Sequence, residues 1–211
     1  MKYQLAIFDS DGTLADTLPW MRSVFNELAD EHGFRKVAPE EYERFRDLHG
    51  VALLKALGLP LWKLPRVVNA MRAKMALHID RFTLYPGITE MLDGLFAAGI
   101  RLAIVSSNSQ ANVERILGRE NASLIAHFSC GVSMMGKANR LRTVVRTSRV
   151  RPEHAIYIGD EIRDAEAAQK AGIAFGAVTW GQHSLGALQA ENPTEFFSSV
   201  QDLMEKISAR A

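Results

Sequence analysis

Two aspartates follow a short apolar run close to the start of the chain. Residues 5–8 are wholly apolar and lead directly into Asp9-Ser10-Asp11-Gly12-Thr13. A run of this kind predicts a buried parallel strand, and open α/β sheets bind their ligands beyond the carboxyl ends of such strands. Because one residue separates Asp9 from Asp11, one carboxylate can enter a site that the main-chain carbonyl of the other also faces. The alternative is an Asp-Gly turn that closes a hairpin.

Further polar side chains follow the other predicted strands. Ser106 follows the predicted strand 101–105, Lys137 comes shortly after the next strand, and Asp160 comes just after the strand 155–158. Since the carboxyl ends of parallel strands meet at one edge of the sheet, these groups are expected to converge on the aspartate pair. Carboxylates with a lysine and a hydroxyl suit a hard divalent cation such as Mg²⁺ and a phosphoryl group.

Each of these residues also has a structural interpretation. Ser106 is a candidate cap for the helix that follows it, although Ser109 is at least as good a cap. Lys137 is a candidate for a solvated loop lysine. Asp164 lies four residues after Asp160 and shares its side of a helix that begins nearby, where an acidic side chain also favours the helix dipole.

The elements that must position these groups alternate from residue 85 onward. The periodicity predicts helices at 88–98, 109–119, 138–150, 162–171 and 195–208, and strands at 101–105, 127–132, 155–158 and 174–178. Such alternation predicts an α/β fold, with a doubly wound parallel sheet and helices on both faces. Residues 16–82 instead read as short helices without a strand. We therefore predict a core of residues 1–15 and 83–211, with an inserted all-helical cap domain over 16–82.

The composition restricts the class of protein and its partners. The 211 residues contain 25 Lys and Arg against 24 Asp and Glu, a net charge of +1 that favours neither nucleic acid nor an anionic membrane. Cys130 is the single cysteine, which excludes an intrachain disulfide and fits a reducing compartment. No apolar run is long enough to cross a bilayer. The expected location is the cytoplasm.

The motifs together resemble those of the haloacid dehalogenase superfamily of phosphohydrolases. In particular, the chain resembles the phosphoglycolate phosphatase-like members that carry a helical C1-type cap after the first motif. The resemblance extends over essentially the whole chain. The segments that carry it are Asp9-Ser10-Asp11-Gly12-Thr13, Tyr85-Pro86-Gly87, Ile104-Val105-Ser106-Ser107-Asn108, Gly136-Lys137, Gly159-Asp160-Glu161-Ile162-Arg163-Asp164 and Ala167-Ala168-Gln169-Lys170-Ala171-Gly172-Ile173.

This resemblance implies a covalent mechanism for the aspartate pair. Asp9 is the expected nucleophile, and it attacks phosphorus to give an aspartyl-phosphate. Asp11 is the expected general acid, which protonates the leaving alkoxide and then takes a proton from the attacking water. The resemblance also implies a Mg²⁺ site formed by the Asp9 carboxylate, the Asp11 main-chain carbonyl and Asp160.

The other motif residues receive roles around the phosphoryl group. The resemblance implies that Ser106, Ser107 and Lys137 hold the phosphoryl oxygens, and that Lys137 also compensates the carboxylates. Asp164 is expected to orient neighbouring groups or a bound water rather than to bind the metal.

The inserted helices supply the candidates for substrate recognition. Arg46 and His49 are predicted to meet a carboxylate or hydroxyl of the leaving group, because arginine binds planar anions through two hydrogen bonds. Lys55 and Arg72 are the next candidates. The alternative for all four is an amphipathic helix with its charges in water. His183 is predicted to be structural rather than catalytic.

These inferences predict a Mg²⁺-dependent phosphatase that hydrolyses small, phosphoglycolate-like phosphomonoesters through an aspartyl-phosphate. A sugar-phosphate phosphomutase of the same fold is one alternative. A phospho-accepting, receiver-like signalling module is the alternative from another class. The expected partner is a small phosphorylated metabolite, without nucleic acid or membrane, and the expected state is a monomer or a homodimer.

Overall fold

The computed structural model describes residues 2–131 and 136–209 of the chain. Its strands are β1 (Leu5–Phe8), β2 (Arg101–Val105), β3 (Ile125–Ser129), β4 (Ala155–Gly159), β5 (Ala174–Val178) and β6 (Glu195–Phe197). Its α-helices are α1 (Leu18–His32), α2 (Tyr42–Arg46), α3 (Gly50–Ala56), α4 (Leu64–Leu77), α5 (Ile88–Ala97), α6 (Gln110–Ser123), α7 (Lys137–Thr147), α8 (Ile162–Ala171), α9 (Leu185–Ala190) and α10 (Val200–Ser208).

The six strands form one parallel sheet in the order β3-β2-β1-β4-β5-β6. In this order the chain builds outward from β1 in both directions, which confirms the predicted doubly wound sheet. The direction of winding reverses between β1 and β4, whose residues pair in register from Leu5 with Ala155 to Phe8 with Ile158. A crevice forms at such a reversal, beyond the carboxyl ends of the strands.

Different helices cover the two faces of the sheet. In β1, Ala6 and Phe8 pack on one face with apolar residues of α5, α6 and α10. Leu5 and Ile7 pack on the other face with α7, α8 and α9. Because both faces are buried, β1 is a continuous apolar run rather than an alternating one.

The helices α1 to α4 lie between β1 and β2. Residues 16–82, all of which the structure describes, contain no strand. The chain leaves and rejoins the core at one point, where Ala15 and Leu84 form an isolated antiparallel bridge. One apolar cluster, centred on Val37 and Phe45, lies within the inserted helices. The helical character of this segment matches the sequence pattern, and its division from the core as a separate domain stays a prediction.

Two predicted elements differ from the structure. The third strand comprises Ile125–Ser129 rather than 127–132, and residue 132 lies outside the described residues. The predicted closing helix 195–208 is wrong at its start, because Glu195–Phe197 is a sixth strand and the helix begins at Val200. Ser199 separates them, since its side chain accepts a hydrogen bond from the Asp202 amide and caps the helix. No α-helix within the described residues is both long and apolar enough to cross a membrane.

Candidate active site

The carboxylates that follow β1 and β4 in the sequence lie close together in the crevice beyond the ends of these strands. Asp9 follows β1, Asp160 follows β4, and Asp164 lies in the first turn of α8. Each of these three residues is at most 2% exposed. One carboxylate oxygen from each lies within 4.8 Å of the others. The fold therefore concentrates negative charge in a place from which water is largely excluded.

Lys137 compensates part of this charge. It is the first residue of α7, and its side chain is buried rather than solvated. Its Nζ lies 2.6 Å from Asp9 Oδ2 and 2.6 Å from Asp164 Oδ1. Burial alone would lower the pKa of Lys137, but the neighbouring carboxylates of Asp164 and Asp9 raise it above its ordinary value. The lysine therefore stays charged, and two of its three N–H donors are occupied.

Asp160 has no such cation. The Thr13 hydroxyl donates to its Oδ1 at 2.7 Å, and the Gln182 amide donates to its Oδ2 at 2.8 Å. Across residues 2–131 and 136–209, no lysine or arginine forms an ion pair with this carboxylate. Burial, followed by the charges of Glu161, Asp164 and Asp9, raises its pKa well above the usual range. Ionised Asp160 therefore lacks a counter-charge.

The oxygen atoms of the Asp9, Asp160 and Asp164 cluster suit a hard divalent cation as ligands. They are carboxylate oxygens, which Mg²⁺ prefers, and Lys137 balances only part of their charge. Two glycines make room for Asp160: a Cβ on Gly12 would lie 2.2 Å from its Oδ2, and a Cβ on Gly181 would lie 2.1 Å from its Cβ. Gly12 also has a φ of +78°, which favours glycine.

Asp164 is held from two sides. Its Oδ1 pairs with Lys137, and its Oδ2 accepts a hydrogen bond from the Glu161 amide at 3.2 Å. The Tyr157 hydroxyl lies 3.3 Å from the same Oδ1 and donates to the Val105 carbonyl at 2.9 Å. Asp164 thus contacts both the main chain at the start of its own helix and the lysine that pairs with Asp9.

Asp11 differs from Asp9 in its surroundings. It is partly buried, and the Asn108 amide nitrogen lies 3.3 Å from its Oδ1. Burial and the nearby charge of Asp9 raise the pKa of Asp11 to about 6. Asp9, in contrast, accepts a hydrogen bond from the Ser10 amide at 2.8 Å besides its ion pair with Lys137. A carboxyl that holds its proton near pH 6 thus lies beside a paired carboxylate, an arrangement that suits an acid next to a nucleophile.

The loop after β2 faces the same crevice. Ser106 is fully buried, and its Oγ accepts a hydrogen bond from the main-chain amide of Asn108 at 3.2 Å. Ser109, not Ser106, caps α6, because its side chain accepts from the Asn112 amide. The main-chain carbonyl of Ser107 accepts a hydrogen bond from Arg72 of α4. The contact with Arg72 ties this loop to the inserted helices.

Arg46 and its neighbour Asp47 connect the inserted helices to the loop after β5. The Arg46 guanidinium donates to the carbonyls of Gln182 at 2.8 Å, Gly181 at 3.2 Å and His183 at 3.4 Å. Asp47 accepts from the Ser184 amide at 2.8 Å and from its hydroxyl at 2.7 Å. The Arg46 donors therefore meet protein carbonyls here, and its predicted substrate contact stays a prediction.

The remaining candidates on the inserted helices lie farther from the carboxylates. His49 is partly buried, and its Nε2 lies 3.7 Å from Glu166 Oε1 of α8. Lys55 is exposed. Neither has a contact with the carboxylate cluster among the described residues.

Sequence reasoning missed three contributors to this site. Asn108 lies in the motif segment after β2, but only its contacts with Ser106 and Asp11 give it a role of its own. Gln182 acts through its main chain, which leaves no signal in its residue type. Tyr157 lies inside β4, where it reads as an ordinary apolar strand residue.

Comparison with known proteins agrees with this geometry. Residues 6–178 match the family described as haloacid dehalogenase-like hydrolase. The chain is 30% identical to the phosphoglycolate phosphatase of Synechococcus elongatus, over 97% of each protein. It is 28% identical to the phosphoglycolate phosphatase of Agrobacterium fabrum, over 98% of this chain and 94% of that protein.

A solved structure has the same fold. The haloacid dehalogenase-like hydrolase from Streptococcus pneumoniae superposes with a TM-score of 0.79 at 21% identity, covering 97% of this chain and 98% of the other. The family match spans both the aspartate pair after β1 and the acidic segment after β4. The chain therefore belongs to the haloacid dehalogenase-like hydrolases, as a phosphatase.

Proposed function

We propose that this enzyme is a Mg²⁺-dependent phosphatase of small phosphomonoesters, acting through an aspartyl-phosphate on Asp9. The observation that supports the proposal most directly is that Asp9 and Asp11 differ in their ion pairing and their pKa. Asp9 is buried, paired with Lys137 and oriented by the Ser10 amide. Asp11 has a pKa raised to about 6. One carboxylate is thus prepared to attack, and the other to deliver a proton.

The reaction then follows in two balanced steps. An Asp9 oxygen forms a bond to phosphorus while the bond from phosphorus to the leaving oxygen breaks, and Asp11 gives its proton to that oxygen. Water next attacks phosphorus and gives a proton to Asp11, and the bond to Asp9 breaks to release inorganic phosphate. Asp9 and Asp160 would hold Mg²⁺, which supplies positive charge between two anions about to react.

Lys137 and Ser106 are placed to hold the transferring group. Two N–H donors of Lys137 meet Asp9 and Asp164; the third has no hydrogen-bond partner within residues 2–131 and 136–209 and can meet a phosphoryl oxygen. The Ser106 hydroxyl accepts from the Asn108 amide and keeps its own proton for donation. Ser107, the third predicted phosphate ligand, lies in the same loop. The names of the two relatives support phosphoglycolate as the first substrate to test.

The test is phosphate release from a panel of esters, measured with Mg²⁺ and with EDTA. We expect wild-type enzyme to turn over many times with Mg²⁺ and to stop with EDTA. Asp9→Asn should abolish multiple turnover, because the amide is a poor nucleophile. Asp93→Asn is the matched control, since Asp93 is exposed on α5 and should leave the rate unchanged.

Three results would contradict the proposal in different ways. Substantial steady-state hydrolysis by Asp9→Asn would refute the covalent step. Return of the phosphoryl group to the substrate, without phosphate release, would favour the mutase alternative. A phosphoprotein that persists for minutes without turnover would favour the receiver-like alternative.

A further inference from the structure

A cavity of about 260 Å³ lies between the inserted helices and the core. Its wall is mostly apolar, and among the side chains that form it are Met21, Phe25, Phe45, Leu48, Leu53 and Met71. A glycolate group has five non-hydrogen atoms. If each of them occupies at most roughly 30 Å³, the volume of a water molecule in the liquid, the group fills at most about 150 Å³. The cavity therefore has room for a larger and more apolar group.

The cavity borders the carboxylate cluster. Glu161, which lines it, directly follows Asp160 in the chain. Gln182 also lines it, and its amide donates to Asp160 Oδ2 at 2.8 Å. Leu18, a third lining residue, begins α1 just after the loop that carries Asp11. A group that leaves the phosphorus atom at the cluster can thus extend into this space.

Most charged side chains in the cavity wall already form ion pairs or hydrogen bonds with other protein groups. The Arg163 guanidinium pairs with Glu161, with Nη2 at 2.8 Å from Oε1. Arg46 is committed to the carbonyls of the loop after β5. Arg22, partly buried on α1, is the further cation in the wall. The lining is therefore not dominated by free charge.

His183 is a buried polar side chain in the wall of this cavity. It is 4% exposed, and neither ring nitrogen has a hydrogen-bond partner among the described residues. Its main-chain amide is fixed by the Asp160 carbonyl at 3.2 Å, and its ring lies 6.5 Å from that of His49. The imidazole ring offers two nitrogens that can take part in hydrogen bonds. Buried polar groups are normally hydrogen-bonded, so this ring is prepared for a partner from outside the protein.

We propose that this cavity selects phosphomonoesters whose leaving group is a hydrocarbon chain longer than that of glycolate and bears a hydroxyl, which His183 binds. The inference rests on the proposed phosphatase activity and names the substrate class of that same site. The apolar wall packs against the hydrocarbon, and His183 is a specificity-determining residue rather than a catalytic one.

The test compares kcat/KM for three esters: 4-hydroxybutyl phosphate, butyl phosphate and phosphoglycolate. Wild-type enzyme should prefer them in that order. His183→Phe fills the same space without a hydrogen bond, and should reduce the preference for hydroxybutyl over butyl phosphate about tenfold, equivalent to about 1.4 kcal/mol. His183→Gln keeps a donor and an acceptor and should retain part of the preference. His154→Phe is the control, because His154 is half-buried, directly precedes β4 and lies outside the cavity.

The possible failures are distinguishable. If wild-type enzyme releases phosphate from no ester, the proposed function and this inference both fail. If it releases phosphate but His183→Phe keeps the wild-type ratio, this inference alone fails. A preference for phosphoglycolate over both alkyl esters also overturns it, and would make Arg22 the selecting group.

Discussion

Replacement of Lys137 by methionine tests how strongly buried carboxylates without a counter-charge lower the free energy of unfolding. Methionine keeps the length and much of the volume of the side chain but removes its charge. In the native protein, Nζ lies 2.6 Å from both Asp9 and Asp164, and all three side chains are at most 3% exposed. The variant therefore leaves two carboxylates without their counter-charge in a site that water does not reach.

The expected loss follows from this burial. Removing one partner of a buried ion pair typically costs about 3–5 kcal/mol of unfolding free energy. At roughly 2–4 °C per kcal/mol for a chain of this size, Tm should fall by about 6–20 °C at pH 8. Protonation relieves the penalty. Burial raises the pKa of Asp164 to about 6, above its unfolded value, even though Lys137 lowers it; without the lysine the carboxyl keeps its proton to a higher pH, so the penalty is largest at high pH and shrinks toward pH 5.

The assay is urea unfolding at pH 8 and pH 5, with EDTA present so that no divalent cation replaces the lysine. Lys74→Met is the matched control. Lys74 also bridges two carboxylates, Glu27 at 3.3 Å and Glu31 at 2.8 Å, but on the surface. We expect the control to unfold close to wild type, because exposed pairs contribute little. A loss below about 1 kcal/mol for Lys137→Met at pH 8, with an unchanged m value, would refute the reasoning.

Two further predictions concern the same crevice. Gly181→Ala places a Cβ 2.1 Å from the Cβ of Asp160, so it should cost about 1–3 kcal/mol and weaken Mg²⁺ binding measured by calorimetry. Gly186→Ala, which points into open space in α9, should instead be neutral or stabilising, and equal effects for both would contradict the steric argument. For alkyl phosphates, kcat should fall as pH rises through about 6, because Asp11 then loses the proton that it must donate. In Asp11→Asn this limb should vanish; a pH profile with the same limb would show that another group titrates.

The positions of the carboxylates in the candidate site were predictable because they depend on local pattern. A buried parallel strand is a continuous apolar run, so its carboxyl end can be read from the first polar residue, as for Asp9 after β1 and Asp160 after β4. The sheet order then brings these ends together. Ser109 was likewise recognisable as a helix cap from its residue type and its position before the helix.

Other parts of the site depend on contacts between distant segments and could not be predicted. The place of Lys137 beside the carboxylates was expected from the resemblance, but its ion pair with Asp164 depends on how α7 packs beside α8. Arg46 has the residue type of an anion ligand, yet its donors meet carbonyls of a loop more than a hundred residues away in sequence. The three-residue strand β6 is too short for a periodic signal, which explains why Glu195–Phe197 was assigned to the following helix.

The central place of β1 in the sheet has a consequence for how the chain folds. This strand lies near the start of the chain, but its two neighbours begin at Arg101 and Ala155. The apolar cluster of the inserted helices, in contrast, joins residues that all lie between Phe25 and Val67. Because loop closure must precede distant pairing, the inserted helices should form first and the sheet should close around β1 last. Pulse-labelled hydrogen exchange during refolding should accordingly protect residues 18–77 before residues 5–8.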